Sequence, residues 1–92
     1  MLDETAKFSL GHTVATPNAL AEIPDDEILL ALSRHIRGDW GKLDREDLAA
    51  NERALRSGGR LFSEYHSTQK VKFWVITEAD RSVTTVLLPK DY

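Results

Sequence analysis

Along this chain of 92 residues the spacing of apolar positions switches between short strand-like runs and helical repeats. From Phe8 to Thr16 apolar residues stand at 8, 10 and 14 and β-branched ones at 13, 14 and 16, which predicts a first strand with Gly11 at a bend or bulge. Thr16-Pro17 is a helix start, a hydroxyl N-cap followed by proline at the first helical position. The helix it opens, Asn18 to about Ile23, is limited to a turn or two by Pro24. A second start follows at once, with Asp25, Asp26 and Glu27 where acids favour the helix dipole. Ile28, Leu29, Leu32 and Ile36 recur at helical spacing until Gly38. A further helix starts at Asp44, carries Leu48, Asn51, Ala54 and Leu55 on one face, and stops at Gly58-Gly59. Leu29, Leu32, Ile36, Leu48 and Leu55 are therefore expected in the core.

Beyond the glycines the period becomes 2. Arg60–His66, Lys70–Thr77 and Val83–Leu88 read as three strands joined by the turns Ser67-Thr68-Gln69 and Glu78–Ser82. In the middle strand Val71, Phe73 and Val75 share one face while Trp74 and Ile76 share the other, as expected of a central strand covered on both sides. Short connections between consecutive strands imply an antiparallel meander. The expected fold is α+β: β-α-α-β-β-β in its main elements, with the helices packed on one face of a four-stranded sheet. Residues 1–7 are expected to form a flexible tail and 8–92 a single domain. This order is similar to that of the RelE-like and barnase-like ribonucleases, an analogy of topology that does not itself carry function.

Composition narrows the function classes. The chain has no cysteine, which removes disulfides, thiolate metal sites and a cysteine nucleophile. No apolar run is long enough for a transmembrane helix, and no basic n-region precedes an apolar run, so a cytoplasmic protein with no membrane partner is expected. The net charge of −3 argues against an overall nucleic-acid-binding surface. The charge is uneven: residues 1–46 hold nine acids and five bases, residues 47–92 six acids and seven bases. A locally basic face keeps nucleic acid open as a partner. No phosphate-cradling glycine motif occurs, the three histidines lack short metal-ligand spacing, and no cofactor or metal is expected.

Two clusters could carry chemistry. Around Arg34–Gly41, His35 is either an acid/base group or a boundary histidine near a helix C-terminus. Trp40 is either a recognition ring or a core anchor. Around the last hairpin, Glu78 and Asp80 offer carboxylates, and Arg81 could hold a phosphate beside Thr84 and Thr85. The alternative there is an ordered hairpin tip, with Asp80 shaping the turn and Arg81 paired to an acid. Tyr65 and His66 point to opposite faces, so only one of them joins a given site.

The segments Arg34-His35, Gly38-Asp39-Trp40-Gly41, Glu46-Asp47 and Asn51, then Trp74-Val-Ile-Thr-Glu-Ala-Asp-Arg-Ser82-Val-Thr84-Thr85-Val-Leu-Leu-Pro89, resemble a family of small bacterial proteins. These are encoded largely on plasmids and prophages, and often carry the label "type I restriction endonuclease subunit M". The resemblance spans Gly11 to Tyr92 and brings no catalytic residues with it. It implies a genomic setting, and 92 residues cannot hold a methyltransferase domain. The expected function is that of an accessory protein of a mobile element acting in host defence or its evasion. It would bind another protein through Asp39, Trp40, Glu78, Asp80 and Arg81. The alternative is a small RNA-cleaving toxin using His35 and Arg81, with Tyr65 or Thr84 positioning substrate. A basic strip near His66, Lys70, Lys72 and Arg81 would favour it. A third reading is a module that pairs with a second copy through an exposed sheet edge.

Overall fold

The computed structural model describes residues 5–92. Strand β1 (His12–Ala15) leads into helices α1 (Pro17–Glu22), α2 (Asp25–Ile36) and α3 (Arg45–Ser57). Strands β2 (Leu61–His66), β3 (Lys72–Thr77) and β4 (Val83–Leu87) follow, and a 3-10 turn (Pro89–Asp91) ends the described structure before Tyr92. The sheet order is β1-β4-β3-β2, so the fold is α+β. The last three strands form the antiparallel meander that the turns imply, whereas β1 lies parallel to β4. No described helix is long and apolar enough to cross a membrane.

Local chemistry sets the helix boundaries. The Thr16 hydroxyl accepts from Ala19 N at 3.1 Å and the Asp44 carboxylate from Asp47 N at 2.8 Å, each satisfying an amide that the first turn leaves free. Helix α2 has three acids in its first turn and no side-chain cap. It ends at Gly38, whose φ of +79° lets its amide and that of Asp39 turn back to the His35 and Arg34 carbonyls.

Leu61, Ser63, Tyr65, Phe73, Val75, Thr77, Thr84 and Val86 are all buried, on the face the helices cover. One core cluster joins Ala19, Ile23, Ile28 and Ala31 to Tyr65, Phe73, Val75, Val86 and Leu88; a second holds Trp40, Ala54 and Leu61, with Phe8, Leu43 and Leu55 against it. The apolar stripes are rotated from those expected. Leu29 is 67% exposed and Leu48 38%, because α2 turns Ile28, Ala31 and His35 inward and α3 turns Asn51 and Ala54. Leu32, Ile36 and Leu55 are half-buried. Of the expected tail, residues 1–4 lie outside the described residues, while Lys7 N donates to Ile36 O at 2.8 Å.

The two sheet edges differ. On β2, the Asn51 side chain donates to Phe62 O at 2.7 Å and accepts from Phe62 N at 3.0 Å, copying a strand partner. Two residues on, Glu64 N donates to Trp40 O and Lys42 N to Glu64 O. Gly41, at φ +75°, lets this strap approach closely; a Cβ there would run into the Glu64 carbonyl. Strand β1 pairs only with β4 among the described residues.

Candidate functional site

The polar residues singled out in the sequence gather in two places, one sealed and one structural. His35, with no exposed surface, has its Nδ1 2.6 Å from Ser63 Oγ and its Nε2 2.9 Å from Thr77 Oγ1. Thr77 Oγ1 lies 2.7 Å from Thr84 Oγ1, and Thr84 Oγ1 donates to Leu10 O at 2.7 Å. These distances fix the proton positions. Thr84 gives its single hydroxyl proton to Leu10, so it accepts from Thr77; Thr77 then accepts from His35 Nε2–H, and Nδ1 accepts from Ser63. The imidazole is held neutral, in one tautomer, and every member is satisfied.

Phe8 and Trp40 close over this ring, edge-on at centroid distances of 5.3 and 5.5 Å. Burial lowers the His35 pKa to about 4, helped by the nearby positive charge of Arg81. His35 and Thr84 thus bridge helix and sheet inside the protein, where substrate has no access. Trp40 is an anchor, 4% exposed, with Nε1 donating to Glu52 at 3.1 Å. Tyr65 is buried too; its hydroxyl donates to Asp39 O at 2.6 Å, and burial pushes its pKa up to about 12.

Arg81 is a strut. It stands at φ +62°, and its guanidinium donates to Gly59 O at 2.5 Å, Ala54 O at 3.0 Å, Glu78 O at 3.1 Å and Ala79 O at 3.2 Å. It therefore adds a second donor to the Ala54 carbonyl, which already accepts from Gly58 N, satisfies the Gly59 carbonyl just past the end of α3, and ties that end to the last hairpin. Its partners are carbonyls, in place of the acid or phosphate expected. Asp80 shapes the turn as expected, accepting from Ser82 N and Oγ, and these bonds lower its pKa. Asp39 is exposed but bound to Arg34 at 2.7 Å, a pairing that lowers the carboxyl pKa. The strip expected near His66, Lys70, Lys72 and Arg81 does not assemble: Arg81 is engaged elsewhere, and Glu64 lies 4.0 Å from both His66 and Lys72.

The surface that remains is the sheet face opposite the helices, where Ile76 is buried, Phe62 and Trp74 are half-buried and Tyr92 is exposed. Phe62 packs edge-on to Trp74 at 5.2 Å, and Trp74 edge-on to Tyr92 at 5.8 Å. Together with Ile76 and Arg60 they line an open cleft of about 260 Å³. Arg60 forms one wall, donating to the Tyr92 hydroxyl at 2.7 Å and to Glu78 at 3.3 Å. Trp74 Nε1 donates to Glu64 at 3.2 Å, which fixes the indole in place. Alternation along the middle strand put Trp74 and Ile76 on this face. Alternation in Arg60–His66 likewise set Arg60 on one face with Phe62, whereas Tyr92, outside any periodic run, gave no signal of joining them. No protein-family model, curated protein or solved structure matches the chain.

Proposed function

We propose that the chain is a non-catalytic protein-binding module that receives an apolar side chain of a partner protein in the cleft between Arg60, Phe62, Trp74, Ile76 and Tyr92. The cleft itself is the observation that carries this reading. Rigid aromatic rings half-open to solvent are the groups that dominate protein interfaces. Its volume of about 260 Å³ suits one large side chain and falls below the usual range of a small-molecule pocket. The charges at its rim are of both signs and already paired, Arg60 with Glu78 and Lys72 beside Glu64. That is the polar rim of a protein contact, while a nucleic-acid backbone calls for a surplus of cations. Glu78 belongs to this rim; the partner surface otherwise shifts from Asp39–Trp40 and Asp80–Arg81 to the open sheet face.

The resemblance to plasmid and prophage proteins supports a host component, in defence or its evasion, as the partner. The sealed position of His35 and Thr84 weighs against the RNA-cleaving reading.

The test is capture from host extract followed by cross-linking of the bound protein, with wild type, Tyr92→Ala, Arg60→Glu and Leu29→Lys compared at equal soluble levels. A protein cross-linked beside residues 60–62 and 74–76, lost with the first two variants and kept with Leu29→Lys, is the expected result. Capture indifferent to Tyr92 and Arg60 rejects this surface. Cleavage of RNA by wild type but not by His35→Gln rejects the binding reading in favour of the toxin.

A further inference from the structure

The contrast between the two sheet edges has a direct implication for assembly. Strand β2 is covered by its own chain at two of its three outward-facing residues, Phe62 through Asn51 and Glu64 through the Trp40–Lys42 strap, which leaves only His66 at its end. Among the described residues strand β1 has no such cover. His12 N donates to Ser82 O and Thr16 N to Val86 O, so the even-numbered residues turn their backbone groups toward β4. Alternation leaves the N–H and C=O of Thr13 and Ala15 facing outward, beyond the sheet. Natural sheets blunt such edges with shortness, lysine, proline, a bulge or a covering segment; among the described residues His12–Ala15 has only its shortness of four residues.

Charge selects the occupant. From Phe8 to Ala21 there is no Asp, Glu, Lys or Arg, in a chain that is 29% charged and carries a net −3. Two copies repel when charged surfaces meet, and this stretch lets them meet without opposing like charges. Exposed Val14 and Leu20 lie within it.

We propose that β1 pairs with β1 of a second copy, antiparallel about a two-fold axis at Val14, to form one continuous eight-stranded sheet. Thr13 of each copy then faces Ala15 of the other and exchanges both N–H···O bonds with it, while Val14 faces Val14 in a non-hydrogen-bonded pair. Pro17, which lacks an amide hydrogen, ends the ladder. The pairing is independent of the cleft, and it sets two open sheet faces side by side as one surface.

The absence of cysteine gives a clean test. Paired Val14 residues would lie about 4.5 Å apart at Cα, within disulfide range. Val14→Cys should therefore form a covalent dimer under mild oxidation, while Leu29→Cys, exposed on α2, should not. In sedimentation over a concentration series the wild type should reach twice its 10.4 kDa mass. Thr13→Pro, which removes an outward donor and leaves the β4 ladder intact, should raise the dimer dissociation constant at least about tenfold with an unchanged circular dichroism spectrum. Ala15→Pro gives the same reading should Thr13→Pro fold poorly. A wild type that stays monomeric, a dimer indifferent to both prolines, or cross-linking no faster at 14 than at 29 each overturns the proposal.

Discussion

His35 Nε2 and Thr77 Oγ1, 42 positions apart in sequence, lie 2.9 Å apart in the closed interior and lock the middle of the fold. The bond joins α2 to β3, and through Thr84 it reaches β4 and the segment before β1. A helix on a sheet held by apolar contacts alone can slide; a directional chain of four side chains allows one register.

That arrangement dictates a pH dependence. His35 titrates near 6.5 when unfolded and at about 4 when folded, so between these values the unfolded chain binds more protons. Stability is fully present above pH 6.5 and falls as the pH drops, the loss being complete near pH 4, with a total on the order of 3 kcal/mol. Asp39, Asp80 and Asp91, whose pKa values are lowered by hydrogen bonds, add their losses only below the ordinary carboxylate range. Urea unfolding from pH 7 to 4.5 should show this slope in wild type and a flatter one in His35→Gln.

The direction of the proton chain is itself measurable. Nitrogen-15 shifts at neutral pH should report His35 protonated at Nε2 and bare at Nδ1. Thr77→Val keeps the volume but strands that N–H, and should cost about 1–3 kcal/mol. Ser63→Ala strands only an acceptor and should cost less. Chemical denaturation of the two variants checks the order.

Arg81 tests a different principle. Arg81→Lys keeps the charge but cannot spread donors over the carbonyls of Ala54, Gly59, Glu78 and Ala79. Losing most of that set should cost about 2 kcal/mol and lower Tm by roughly 10 °C. A phosphate-binding arginine would show little change in thermal unfolding.

Gly41→Ala should be among the most damaging single substitutions in the strap. It adds a methyl group against the Glu64 carbonyl and the Tyr65 ring at a residue whose φ is +75°. A loss above about 3 kcal/mol is expected, whereas Gly58→Ala, where a Cβ meets nothing within 4 Å, should lose only the cost of its φ of +83°. Thermal unfolding of the pair separates crowding from backbone strain.

The elements of this fold were legible because each carries its own punctuation. Thr16-Pro17, Asp44, Gly38 and Gly58 mark helix ends by local hydrogen bonding, and alternation in Lys72–Thr77 marks a strand. What depends on tertiary placement was not legible. Leu29 and Leu32 fit a helical stripe as well as Ile28 and Ala31 do, and only the sheet beneath α2 chooses between them. His35 looked chemical because a histidine's charge state depends on its surroundings, and those arise from Ser63, Thr77 and Trp40. Arg81 looked like an anion ligand for the same reason; two of the four carbonyls it binds, those of Ala54 and Gly59, come from the end of α3 more than twenty positions away.

The parallel pairing of β1 with β4 also governs how the molecule comes into being. Thr84 bonds to Leu10 across 74 positions, so the first strand has no place to dock until the last has been made. The meander, whose contacts are between neighbours in sequence, can assemble early, and closing the long loop to β1 is left to the end. On the ribosome the strand His12–Ala15 therefore emerges before the three strands of the meander and docks after them.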